Sequence, residues 1–267
     1  MTKTTPKDQR FSPWALYDAL IDPIPPDLKT DEAISGPHWT YVRSGNRVGL
    51  AMNLTRVHNT ETRPRLLPES CRDLAGMSLR GLAAAAKSWN FAEASLGVAA
   101  INAYWNSPEH ETVARAMNGE DGSAFDAWQD RVRGKKVAVI GHFMHLEKTL
   151  GGMCDLSILE KRPGPGDYPD SACEFILPEA DFVFATAVTV INKTLPRLLE
   201  LSHRQGLILA GPTVPLAPLL FDFGVRDLQG LVIRDPDLCR DAISGKNECA
   251  TIFDAGKRVS ILRDLAQ

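Results

Sequence analysis

Residues 134–169, GKKVAVIGHFMHLEKTLGGMCDLSILEKRPGPGDYP, limit what this chain can fold into more than any other stretch. Val137, Ala138, Val139 and Ile140 form an apolar, largely β-branched run between two lysines and Gly141, the pattern of a strand buried on both faces. Such a strand needs cover on both sides, which predicts an α/β architecture. Residues 142–150 read as a short helix stopped by Gly151 and Gly152, and residues 156–159 as a second strand closed by Glu160, 20 residues after Ile140. Strand, helix, strand and terminal acid is the layout of an adenosine-binding βαβ unit, in which the acid accepts hydrogen bonds from ribose hydroxyls. The same acid would also suit the solvated end of a strand in an ordinary α/β sheet.

The turn after the first strand reads GHFMHL, where a dinucleotide site has GxGxxG. Without the second and third glycines the backbone cannot approach a pyrophosphate closely, which argues against NAD and FAD. An adenosyl ligand without a diphosphate, such as S-adenosylmethionine, remains compatible.

Upstream, apolar residues from Phe11 to Ile21 fall near helical spacing and stop at the Pro23, Pro25, Pro26 cluster. Residues 39–42 and 48–54 flank Ser44, Gly45 and Asn46 and predict a β-hairpin. Residues 79–87 and 92–104 predict two alanine-rich amphipathic helices. These make an α+β unit over 11–105, joined by a polar linker with a short helix (106–133) to a Rossmann-like unit over 134–267. In that unit, residues 182–185, 207–210 and 231–233 read as further strands alternating with helices, which predicts a doubly wound parallel sheet.

Ligands of such sheets lie outside the carboxyl ends of the strands. The residues there are Gly141, His142 and Phe143; Glu160 through Tyr168; Thr186 through Thr194; and Gly211 through Pro215. Thr186, Thr189 and Asn192 are each placed first of all to cap the following helix, and together they would also suit polar contacts to an adenine edge or an amino-acid head group. His142, His145 and Glu147 suggest a metal, but no third protein ligand can be assigned to the histidine pair, and zinc sites normally need three. No metal is therefore expected. GxSxG, Walker and HExxH motifs are absent, which lowers hydrolase, NTPase and zincin readings.

Net charge is −3 over 267 residues, which gives no footprint for nucleic acid or an anionic membrane. No apolar run reaches the length of a membrane span. Five dispersed cysteines and an N-terminus without an apolar signal core lead to the expectation of a cytoplasmic protein with reduced thiols. Homo-oligomerisation is left open.

The segments VGLAMNL, GMSLRGLA, EASLGVAAINA, VAVIGHF, LEKRPGPGDYP, LPEADFVFATAVTVINKTL and GPTVPLAPLLFDFGV together resemble the DUF4213 plus DUF364 family, known for a proposed role in heavy-metal chelation. The resemblance covers about residues 11 to 245 and implies an enolase-N-terminal-like domain followed by a Rossmann-like domain. The family's name refers to chelators built, like nicotianamine, from the aminocarboxypropyl part of S-adenosylmethionine. A narrower resemblance is to azetidine-2-carboxylate synthases, which cyclise S-adenosylmethionine. These resemblances imply an enzyme that breaks the Cγ–S bond of S-adenosylmethionine, either by attack of its own α-amine or by aminocarboxypropyl transfer. The alternative is a non-catalytic binder of a heavy metal or metal chelate.

The expected catalytic residues are His142, Tyr168 and Asn192, with Tyr168 or Phe143 facing the sulfonium. The expected ligand-binding residues are Gly141, Phe143, Glu160, Thr189, Thr194, Gly211 and Thr213. Asn53, Asn90 and Glu93 are the N-terminal candidates for an interdomain cleft holding a small molecule, although Asn90 is also placed to cap a helix and Asn53 to end a strand.

Overall fold

Two sheets of unequal size, one antiparallel and one mostly parallel, form the computed structural model, which describes residues 12–54, 66–67, 70–119, 124–143, 149–247 and 249–263. In the small sheet, β1 (Glu32–Ser35), β2 (Trp39–Ser44) and β3 (Arg47–Met52) lie in sequence order. Ser44 pairs with Arg47, leaving Gly45 and Asn46 as a two-residue turn with Gly45 at φ +60. The hairpin is the one the sequence predicts. The third strand, β1, lacks a long apolar run and is defined by its pairing with β2.

Helices α1 (Ala15–Ile21), α2 (Leu79–Ala83) and α3 (Phe91–Trp105) complete the N-terminal layer. The expectation that the alanine-rich helix is amphipathic needs correction. Residues 93–103 of α3 are all buried, because the helix runs between the small sheet and the large one. Small residues permit this close packing: a Cβ at Gly49 of β3 would lie 2.0 Å from the Ala99 carbonyl oxygen, and one at Gly97 would lie 2.0 Å from the Ala86 nitrogen. The polar stretch that follows is more than a linker. It contains α4 (Glu111–Ala116) and α5 (Ala124–Val132), and Phe125, Trp128 and Val132 of α5 are buried against the large sheet.

The large sheet has β4 (Lys136–Ile140), β5 (Asp155–Glu160), β6 (Tyr168–Pro169), β7 (Phe182–Thr186), β8 (Leu207–Ala210), β9 (Val225–Ile233) and β10 (Gly256–Leu262), in the spatial order β10-β9-β8-β7-β4-β5-β6. All neighbours are parallel except β9 and β10. The six parallel strands thus follow the doubly wound 3-2-1-4-5-6 order, with the reversal between β4 and β7. The antiparallel β10 departs from the expected all-parallel sheet. Its pattern, with only Val259 and Ile261 fully buried among Lys257, Arg258 and Ser260, is that of a half-exposed edge.

Side chains alternate across β4 as a pleated strand requires. Val137 and Val139 face Phe125, Trp128 and Phe184, while Ala138 and Ile140 join the core shared with the N-terminal layer. That shared core is continuous, and buried polar contacts stitch it. Tyr17 donates to the Val190 carbonyl at 2.7 Å, Asn102 Nδ2 donates to the carbonyls of Leu50 and Thr213, and Asn106 Nδ2 donates to the Val214 carbonyl. Among the described residues no helix is long and apolar enough to cross a membrane.

Candidate functional site

A cavity of about 900 Å³ opens at the carboxyl ends of β4, β5 and β7, where the strand order reverses. This is the crevice in which open α/β sheets bind ligands. Gly141 leaves β4 at φ +94, a left-handed conformation that disfavours a side chain, and a Cβ there would lie 2.7 Å from Thr186 Cγ2. It occupies the place of the first glycine in a dinucleotide fingerprint. His142 follows, and its backbone N–H donates to Glu160 Oε1 at 2.8 Å. The other oxygen of Glu160 accepts from the Lys161 N–H at 2.9 Å. A carboxylate has about four acceptor positions, so these two bonds leave capacity for further donors.

The His142 ring is held by a residue that the sequence does not single out. Its Nε2 lies 2.9 Å from Asp167 Oδ2, and the Asp167 side chain is only 4% exposed. Asp167 also accepts from the Gly164 N–H at 2.8 Å, so the Gly-Pro-Gly-Asp turn folds onto its own carboxylate and presents it to the histidine. The turn residues are visible in the sequence, but their approach to His142, 25 positions away, depends on how β5 and β6 pair.

Thr186 through Thr194 form the β7 side of the wall. Thr189 Oγ1 donates to the Thr186 carbonyl at 2.7 Å, which is the capping use that the sequence allows. Asn192 Oδ1 accepts from both the backbone N–H and the hydroxyl of Thr194, and all three residues line the cavity. Between them, Lys193 has φ +65 and is the one non-glycine with positive φ among the described residues. Its ammonium donates to the Ile191 carbonyl at 2.8 Å and to the Ser88 carbonyl of the N-terminal layer. Burial pushes its pKa down to about 8. No spacing rule in the sequence points to Lys193.

Cys173 also lines the cavity, but burial, with Asp170 and Glu174 nearby, pushes its thiol up to about 11. At neutral pH it is therefore a poor nucleophile.

Several expected site residues lie away from this wall. Phe143 packs edge-on against Phe125, with ring centroids 5.0 Å apart. Tyr168, on the short edge strand β6, is 47% exposed and does not line the cavity. Gly211 and Thr213 do not line it either, and the N-terminal layer covers Thr213. Thr213 Oγ1 accepts from the Met52 N–H at 3.0 Å, and its carbonyl accepts from Asn102.

The three N-terminal candidates have structural partners. Asn53 Nδ2 donates to Ser35 Oγ and the Gly36 carbonyl. Asn90 caps α3 by accepting from the N–H groups of Ala92 and Glu93. Glu93, buried, accepts from the N–H groups of Leu66 and Leu67 and from the Ser88 hydroxyl. The N-terminal layer reaches the cavity through Met52 and Leu54 instead.

His145 and Glu147, the remaining members of the histidine motif, lie outside the described residues. Among those described, no three His, Cys, Asp or Glu side chains are grouped to hold a metal ion.

Residues 123–261 match the DUF364 family model and residues 17–105 match DUF4213, both described as "Putative heavy-metal chelation". A crystal structure of a DUF364-family protein of unknown function from Desulfitobacterium hafniense is 45% identical, covering 93% of this chain and 98% of that one, with a TM-score of 0.83. A second such protein, from Pyrococcus horikoshii, shares the fold at 22% identity and a TM-score of 0.73, over 94% of this chain and 99% of that one. An uncharacterized protein of Methanocaldococcus jannaschii is 32% identical over 163 residues, 57% of this chain, and the match spans 59% of that relative's length. The chain belongs to the DUF364 family, with a DUF4213 segment preceding the DUF364 segment.

Proposed function

We propose that this protein binds S-adenosylmethionine in the crevice between β4 and β7 and cleaves its Cγ–S bond. The observation that carries the reading is Glu160, which ends the strand beside β4 and keeps acceptor capacity after binding the His142 and Lys161 amides. That is the position from which an acid holds the two hydroxyls of an adenosyl ribose. Phe143 stands where a dinucleotide fingerprint that begins at Gly141 has its second glycine, and the neighbouring His142 ring is paired with Asp167, which disfavours a diphosphate.

The methionine part of the ligand would extend from Glu160 across Gly141 toward Thr186 and Asn192, over apolar walls that include Met52, Leu54 and Val188. Removing the sulfonium from water in this way makes its carbon neighbours more open to attack, and holding an amine in line with Cγ supplies the rest. If the ligand's own uncharged α-amine forms the N–Cγ bond as the Cγ–S pair moves to sulfur, the products are azetidine-2-carboxylate and methylthioadenosine. If a second amine attacks, the aminocarboxypropyl group is transferred.

The family description favours a second reading, a non-catalytic binder of a metal or metal chelate. Calorimetric titration separates the two. The proposal expects S-adenosylmethionine to bind the wild type and the Glu160→Ala variant to bind it about 1 to 3 kcal/mol more weakly, the range for lost hydrogen bonds to a charged group. Tight binding of zinc with no heat from S-adenosylmethionine would favour the second reading.

A further inference from the structure

The cavity wall that continues from β7 offers a ligand hydrogen-bond donors whose own acceptors are already filled, and that asymmetry names the part of the ligand it takes. We infer that Asn192 Nδ2, with the Thr186 hydroxyl, receives the α-carboxylate of a bound amino-acid group. Asn192 is then a specificity-determining residue for a ligand that keeps its carboxylate. The inference rests on the S-adenosylmethionine reading for what that carboxylate is attached to. The donor character of the wall is independent of that reading.

Asn192 is half-buried after the single helical turn that follows β7, and it lines the cavity together with Thr186 and Thr194. Its neighbours orient its amide. The Thr194 backbone N–H, which can only donate, lies 3.1 Å from Oδ1, and the Thr194 hydroxyl donates to the same oxygen at 2.7 Å. A carbonyl oxygen has two lone pairs, so both acceptor positions of the amide are filled. What remains is Nδ2, whose two N–H groups have no acceptor among the described residues. Thr186 adds a third donor. Its oxygen accepts from the Val188 N–H at 3.4 Å, and its proton has no acceptor among the described residues.

This accounting separates two groups that such a loop could recognise. An adenine edge pairs a donor with an acceptor, and an asparagine reads it by offering one of each. Asn192 has no acceptor left to offer. A carboxylate is acceptor-only, with about four positions to fill, and it matches a set of donors. The neighbouring cations are committed elsewhere: Arg197 is paired with Glu174 and Glu200, and Lys193 donates to the Ser88 and Ile191 carbonyls. Across β4 the chemistry reverses, because Glu160 is an acceptor and suits hydroxyls. A ligand with ribose hydroxyls at one end and a carboxylate at the other is held at both ends, and its Cγ–S bond lies between two fixed points.

The test compares ligands that differ only in the carboxylate. The full-length wild type and Asn192→Asp are titrated calorimetrically with S-adenosylmethionine and with decarboxylated S-adenosylmethionine. Aspartate keeps an oxygen for both Thr194 donors and puts a second oxygen in place of Nδ2. The variant is expected to bind S-adenosylmethionine at least about 10-fold more weakly, the equivalent of a lost hydrogen bond to a charged group. Its affinity for the decarboxylated compound should stay within about threefold of the wild type. Equal losses for the two ligands would mean that Asn192 only shapes the wall, and no loss for either would mean that it does not touch the ligand. Both results overturn the inference.

A second readout needs no adenosyl ligand. The side-chain amide signals of Asn192 are followed in nitrogen–proton correlation spectra as the wild type is titrated with L-alanine, or with ethylamine, which lacks the carboxylate. Movement with L-alanine alone is expected. No movement, or equal movement with both, overturns the assignment. If the wild type binds neither adenosyl compound, the S-adenosylmethionine reading fails, and these spectra still decide whether Asn192 receives a carboxylate.

Discussion

The carboxylate of Glu160 accepts the backbone N–H of His142 at 2.8 Å, so the acid that ends β5 also holds the loop that leaves β4. One residue thereby holds both the proposed ribose-binding position and the mouth of the cavity. In Glu160→Ala the His142 amide loses this charged acceptor, and its hydrogen exchange is expected to speed up by about tenfold, the equivalent of a bond worth about 1.5 kcal/mol. An unchanged exchange rate would mean that other contacts hold the loop.

The close approach of α3 to β3 yields a stability prediction. An alanine at Gly49 would place its Cβ 2.0 Å from the Ala99 oxygen and 2.1 Å from the Ala103 nitrogen, and backbone atoms of a buried helix cannot yield as a flexible side chain can. The helix must move, and Asn102, one residue before Ala103, loses its fit to the Leu50 and Thr213 carbonyls. Gly49→Ala is expected to cost about 3 kcal/mol or more in urea denaturation. A loss under about 0.5 kcal/mol would contradict the packing described.

Asp227 gives a prediction with a sign. It is buried and accepts hydrogen bonds from Trp128 Nε1 at 2.8 Å, from Ser260 Oγ at 3.0 Å and from Gln229 Nε2. Burial nevertheless raises its pKa above the ordinary aspartate value, so the native state holds this proton more tightly than the unfolded chain does. Its contribution to stability is therefore full below the unfolded pKa and is lost as pH rises through the raised native value. Asn at this position can keep the Trp128 and Gln229 donors on its oxygen and turn its amide to Ser260. Urea midpoints measured across the acidic range should show Asp227→Asn gaining on the wild type as pH rises. Parallel profiles would indicate that Asp227 does not titrate differently in the two states.

Much of this fold is legible in the sequence because buried parallel strands are written as short apolar runs. VAVI and LILA fall within β4 and β8, and the spacing from Ile140 to Glu160 identifies the acid at the end of β5. Edge strands are harder to read. β1 and β10 carry charged residues and take their definition from pairing with β2 and β9. The sequence also treats the exits of β7 and β8 as equivalent, whereas α3 and β3 cover the exit of β8 and bury Thr213, leaving only the β7 exit on the cavity.

Asp167 and Lys193 escape a linear reading for a common reason. Each takes its position through a contact with a distant segment, Asp167 with His142 and Lys193 with Ser88, 105 positions away. The polar residues that stand out in the N-terminal sequence, Asn53, Asn90 and Glu93, stand out because turns and helix starts need such groups.

The most direct measurement is mass spectrometry of the products after the purified protein is incubated with S-adenosylmethionine alone. The proposed chemistry predicts methylthioadenosine and azetidine-2-carboxylate in equal amounts, accumulating over repeated turnovers. Methylthioadenosine that appears only when a second amine is supplied would place the chemistry in aminocarboxypropyl transfer. S-adenosylmethionine recovered intact under both conditions would contradict Cγ–S cleavage.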